Sequence, residues 1–119
     1  MLDFRVDVGG VGACALVSVH GELDIATAPQ LVAALESAAQ REAEKVVVNL
    51  LGTTFIDSSG LTTLFRAHKQ HEGNDRTFAI VCGPDNYEVR RVVDLMGFNE
   101  VFTIHESLSA AGCGDDTPQ

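Results

Sequence analysis

Tryptophan is absent from this chain of 119 residues, tyrosine occurs once, proline three times and cysteine three times. Cys14, Cys82 and Cys113 are odd in number and lack C-x-x-C spacing, which argues against a disulfide framework and against a cysteine zinc site. They read as two core-filling thiols and, at Cys113, an exposed thiol in a tail. Basic residues are also few: 8 Lys and Arg stand against 17 Asp and Glu, a formal net charge of −9. That balance repels phosphate backbones and anionic lipid surfaces, so no direct nucleic-acid partner is expected. It fits either a partner with a basic docking surface or plain solubility. No apolar run approaches the roughly 20 residues that cross a bilayer. Met1-Leu2-Asp3-Phe4-Arg5 lacks a basic leader followed by an apolar block, so a cytoplasmic location without membrane insertion is expected. A G-x-x-x-x-G-K-[ST] phosphate loop is missing as well, which removes conventional nucleotide hydrolysis.

What is present is a hydrophobic fraction of 45%, enough for one core in a chain of this length. Leu2, Phe4, Val6 and Val8 alternate with Asp3, Arg5 and Asp7, the period of a strand with one buried face. Gly9-Gly10 is expected to turn it into a second strand over 13–20, giving an N-terminal antiparallel hairpin. Thr27-Ala28-Pro29-Gln30 fits a capping box opening a helix with Leu31, Ala34, Leu35, Ala38 and Ala39 at helical spacing. Val46-Val47-Val48-Asn49-Leu50 reads as a central strand covered on both faces, followed by a Gly52-Thr53-Thr54 loop.

Leu61, Leu64, Phe65 and His68 mark a second helix stopped near Gly73. Thr77 to Cys82 is a further strand, and Val89, Val92, Val93 and Met96 face inward on a third helix ended by Gly97. A short strand at Val101-Phe102 and a last helix over 105–111 complete the pattern, with a frayed tail after it. The order implies an α/β fold: one mixed sheet of four to five strands, with about four helices on its faces.

The informative segment is Phe55-Ile56-Asp57-Ser58-Ser59-Gly60-Leu61, where a strand passes into a helix N-terminus. Asp57 can accept the orphan N–H groups of the first turn and leave the Ser58 hydroxyl free. Gly60, without a side chain, is expected to let a bulky group approach the backbone beside Ser58. Plain helix capping explains the same residues. Leu61, Leu64 and Phe65 suit a core face or a partner groove, with the core the safer reading in so small a domain.

Asp57-Ser58-Ser59-Gly60-Leu61, with Gly21-Glu22-Leu23-Asp24-Ile25-Ala26-Thr27-Ala28 upstream and Val46-Val47-Val48-Asn49-Leu50 between, resembles the STAS domain of anti-sigma factor antagonists. The resemblance implies a STAS domain over residues 1–111, while residues 112–119, which have no counterpart in it, read from their own composition as a flexible tail. It implies a non-catalytic partner of an anti-sigma factor with serine kinase activity. The unphosphorylated form would bind that factor and free a sigma factor, phosphorylation at Ser58 would release it, and a serine phosphatase would reset the switch. Asp24, Asp57, Ser59, Gly60 and Leu61 are then the neighbourhood of the phosphosite. Thr62 departs from the pattern at a place where many relatives are expected to carry a second glycine. The alternative within the same family is a constitutive STAS subunit of a larger assembly, such as a lipid-transport complex, with Ser58 acting only structurally.

Other constellations fall away. A Ser58-His68-Asp57 triad fails because ten helical residues at about 1.5 Å each separate Ser58 from His68 by roughly 15 Å. Ile56 occupies the first glycine position of a G-x-S-x-G elbow. His68, His71 and Glu72 share a helix end, but His71 is better explained there by the helix dipole and His68 by the edge of the core than by a metal. No cofactor is expected, while a weak nucleotide contact at the Asp24 and Ser58 end of the sheet stays open.

Overall fold

A computed structural model describes residues 3–72, 76–97 and 100–114. Leu2, the expected stop at Gly73 and the tail residues 115–119 lie outside the described residues. The elements run β1 (Arg5–Val11), β2 (Cys14–Leu23), α1 (Ala28–Ala39), β3 (Lys45–Ile56), α2 (Ser58–Glu72), β4 (Thr77–Val81), α3 (Tyr87–Leu95) and β5 (Thr103–His105). The strands form one sheet in the order β1-β2-β3-β4-β5, with β1 antiparallel to β2 and all later neighbours parallel. This is the expected mixed α/β sheet with its N-terminal hairpin.

Strand order equal to chain order has a consequence for the layers. Each parallel neighbour is reached by a helical crossover, and right-handed crossovers stepping in one direction deposit their helices on one face. Leu31 and Leu35 of α1, Leu61 and Leu64 of α2, and Val89 and Val93 of α3 accordingly share one buried cluster with Val17, Val19, Val46, Val48 and Ile80. The central strand is thus not covered by helices on both sides. On its other face Cys14, Val47, Ala79 and Val81 pack against Ala111 and Cys113 of the C-terminal segment.

Several local expectations change. Gly9 and Gly10 pair with Leu16 and Ala15 as strand residues, and Val11 pairs with Cys14. The turn therefore falls at Gly12-Ala13, where Gly12 takes φ +58°. Gly52-Thr53-Thr54 is not a loop: β3 continues through it, because the long β2 holds His20 against Gly52 and Gly21 against Thr53. Two register irregularities absorb the mismatch, and the buried Thr53 hydroxyl donates to the Val19 carbonyl at 2.9 Å. The last strand lies two residues later than Val101-Phe102, pairing Ile80 with Ile104.

No helix forms over 105–111. His105 ends β5, and the chain then makes turns in which the Ser107 hydroxyl accepts from the Ala110 N–H at 3.0 Å, competing with helical propagation. Met96 is 57% exposed and does not face inward, since α3 ends at Leu95 and Gly97 takes φ +70°.

Cys113 is not an exposed thiol. It is buried, and it meets Cys14 as a disulfide pair with Cα atoms 5.6 Å apart. Cys82 is the core thiol expected, and burial pushes its pKa up, with Arg90 pulling the other way and Asp94 and Glu106 adding to the rise.

Candidate functional site

The N-termini of α1 and α2 lie side by side at the C-terminal ends of β2 and β3, linked by the Asp57 N–H donating to the Leu23 carbonyl at 3.2 Å. Asp57 caps α2 as its position predicts. One carboxylate oxygen, Oδ1, accepts from the Ser59 N–H at 2.8 Å and the Gly60 N–H at 3.2 Å. Asp57→Ala is expected to lower stability by about 0.5–2 kcal/mol in a urea titration while the fold persists. An unchanged midpoint would show that the cap carries no weight.

The start of α1 works differently from the expected capping box. The Thr27 hydroxyl accepts from the Asp24 N–H at 2.9 Å and donates to the Glu22 carbonyl at 2.8 Å. Asp24 Oδ1 accepts from the N–H groups of Ala26 and Thr27, at 3.0 and 3.1 Å. A carboxylate three residues upstream is the stronger acceptor, so the tight turn before the helix is organised by Asp24 and the threonine turns back onto it. Asp24 therefore shapes the loop whose next residue, Ile25, lines a groove with Ser58, although Asp24 itself does not line it.

Ser58 is exposed on the first turn of α2. The Thr62 hydroxyl donates to the Ser58 carbonyl at 2.7 Å and the Thr63 hydroxyl to the Ser59 carbonyl at 3.0 Å, so both threonines are committed to backbone. Ser58, Thr62 and Arg66 form one wall of a groove of about 490 Å³, with Ile25, Pro29 and Val32 opposite. Ile25 is 76% exposed and Val32 43%, a large apolar area for a surface beside a serine. Reading the sequence alone passes over Ile25, Val32 and Arg66. The available signal is that Val32 is apolar yet falls one position beyond the inward Leu31, and that Ile25 follows directly on Asp24.

Gly60 and Leu61 belong to the inside. An added Cβ on Gly60 would lie 2.7 Å from Leu23 Cγ and 2.9 Å from Ile56 Cγ1, so this glycine admits the sheet and not an external group. Leu61 is buried in the core. Both residues support the site from beneath. His68 stacks edge-on to Phe102 at 5.4 Å and His71 is buried against Phe78, with Nδ1 2.7 Å from the Ala67 carbonyl, so both rings are part of the packing.

The profile of the STAS domain family matches residues 5–111. An anti-sigma-B factor antagonist of Staphylococcus aureus is 33% identical over 88 residues, covering 71% of this chain and 82% of that protein. A crystal structure of an anti-sigma factor antagonist from Mycobacterium paratuberculosis superposes with a TM-score of 0.82 at 27% identity, over 92% of this chain and 91% of that one. The fold is also that of the Bacillus cell fate determinant SpoIIAA in its phosphorylated form, with a TM-score of 0.63 and 19% identity over 92% and 97% of the two chains.

Proposed function

Because this chain belongs to the STAS domain family, we propose that it acts as an anti-sigma factor antagonist switched by phosphorylation of Ser58. The unphosphorylated form docks an anti-sigma factor with serine kinase activity and so frees a sigma factor. Phosphate on Ser58 releases the complex, and a serine phosphatase restores it. The protein itself is a binding module and not an enzyme.

The observation that carries this reading is the exposed Ser58 on the first turn of α2, at the wall of a groove lined by the exposed Ile25 and Val32. Apolar area of that kind is what a partner buries, and a hydroxyl on its border is where one added group can block the contact. Asp57 matters to the switch as well as to the helix. It already takes the Ser59 and Gly60 N–H groups, so a phosphate on Ser58 does not find those donors free. The positive end of α2 offsets part of the new charge and the neighbouring Asp57 carboxylate opposes it. The remaining charge is felt at the groove, with Asp24 and Ile25 completing the docking face.

Incubation with ATP and the kinase captured on Ser58→Ala protein, followed by mass mapping, is the direct test. Phosphate is expected on Ser58 of the wild type, on Ser58 of Ser59→Ala, and nowhere on Ser58→Ala. Phosphate mapped to Ser59, or none at all, would overturn the assignment.

A further inference from the structure

Among the described residues, the face of the sheet opposite the three helices is covered by a segment with little secondary structure of its own. Leu108, Ala111 and Cys113 pack over Cys14, Val47, Ala79 and Val81. Lys45 Nζ donates to the Ala111 carbonyl at 3.0 Å, and the Cys113 N–H folds back to the Leu108 carbonyl at 2.9 Å. Against this stands the Cys14–Cys113 pair, separated by 99 positions in sequence and by 5.6 Å between Cα atoms. That spacing lies within the roughly 4.4–6.8 Å usual for a disulfide. We propose that Cys14 and Cys113 are a thiol–disulfide switch that fastens residues 107–113 as a strap across the face opposite the three helices.

The chemistry needs an oxidant of the low-molecular-weight disulfide class, RSSR. When the strap lifts, the Cys113 thiolate attacks one RSSR sulfur, giving a protein–SR mixed disulfide and one RS⁻ that takes up the proton Cys113 lost. The Cys14 thiolate then attacks the Cys113 sulfur, expelling the second RS⁻, which takes up the Cys14 proton. Two protein thiols are oxidised and one RSSR is reduced to two RSH. Cys14 Sγ lies 3.6 Å from the Gly112 carbonyl, so on reduction the freed thiol has an acceptor at hand, and the strap is then held only by contacts. The switch changes how firmly the strap is held. Closing a loop of this length is the case in which a cross-link constrains the unfolded chain most. Cys82 does not compete, because it sits in the cluster on the helix-bearing face and burial keeps its thiol protonated.

The site lies away from Ser58. Cys14 opens β2 and pairs with Lys45, the first residue of β3, whereas Ser58 lies two residues beyond Ile56, the last. The proposal therefore stands or falls independently of the phosphorylation reading.

The test compares the full chain equilibrated with oxidised glutathione and with excess dithiothreitol. Thiol titration in denaturant should find one reactive thiol after oxidation and three after reduction, with the cross-link mapped to Cys14 and Cys113. The oxidised form should melt higher by on the order of 10 °C. Its Ala111, Gly112 and Cys113 amides should exchange at least about tenfold more slowly than in the reduced form. Cys113→Ser should melt near the reduced wild type with or without oxidant. Three titratable thiols after oxidation, a cross-link between chains, or equal melting of the two forms would overturn the proposal.

Discussion

Ser58→Asp is expected to bind the anti-sigma partner more than about a hundredfold more weakly than the wild type, and Ser58→Ala to bind it without release on addition of ATP. On the proposed docking face, a partner that covers Ile25 and Val32 places its atoms beside Ser58, which lines the same groove. A carboxylate or phosphate there must be desolvated or must hold the partner off, and a loss of about 3 kcal/mol from either cause is already more than a hundredfold in Kd. The fold itself should be little disturbed, since the helix dipole partly offsets the charge. The two effects are separable by measuring binding isotherms and urea midpoints on the same proteins. Ser58→Asp protein that binds as tightly as wild type would end the switch mechanism while leaving the family assignment untouched.

Gly60→Val is expected to cost more than about 3 kcal/mol, and Gly60→Ala about 1–2 kcal/mol, read from urea midpoints at constant m. Glycine inside a helix normally loses about 1 kcal/mol to alanine, so a surface glycine would be improved by the change. At Gly60 the sign reverses because the added carbon meets Leu23 and Ile56, which are 0% and 1% exposed and have nowhere to move. Valine adds two further methyl groups and a restricted χ1. The helix can relieve the clash only by lifting from β2 and β3, which also displaces Ser58. A Gly60→Val protein as stable as the wild type would mean that α2 is not seated on those strands as described.

Much of the fold was legible because the residues that carry it act locally. Alternation from Asp3 to Val8 announces β1, Leu31, Ala34, Leu35 and Ala38 announce α1, and Asp57 announces the start of α2. The misplaced features share a different origin. Three glycines in Gly9-Gly10-Val11-Gly12 all permit a turn, and only pairing with Cys14, Ala15 and Leu16 selects Gly12. Gly52-Thr53-Thr54 has loop composition, yet a neighbouring strand long enough to hydrogen-bond to it makes it β.

The sequence by itself determined the element order as far as the last strand, and an aspartate-capped helix that presents a serine at its first turn, because period, capping and turn chemistry depend on residues a few positions apart. Only the tertiary structure decided the rest. Side-by-side helix N-termini set Ile25 and Val32 against Ser58, closeness to the sheet turned Gly60 from an opening into a packing contact, and strand order left one face for residues 107–113 to cover. The approach of Cys14 to Cys113 belongs to the same class. Contacts across 99 positions are set by the path of the whole chain, and no local pattern around either cysteine encodes them.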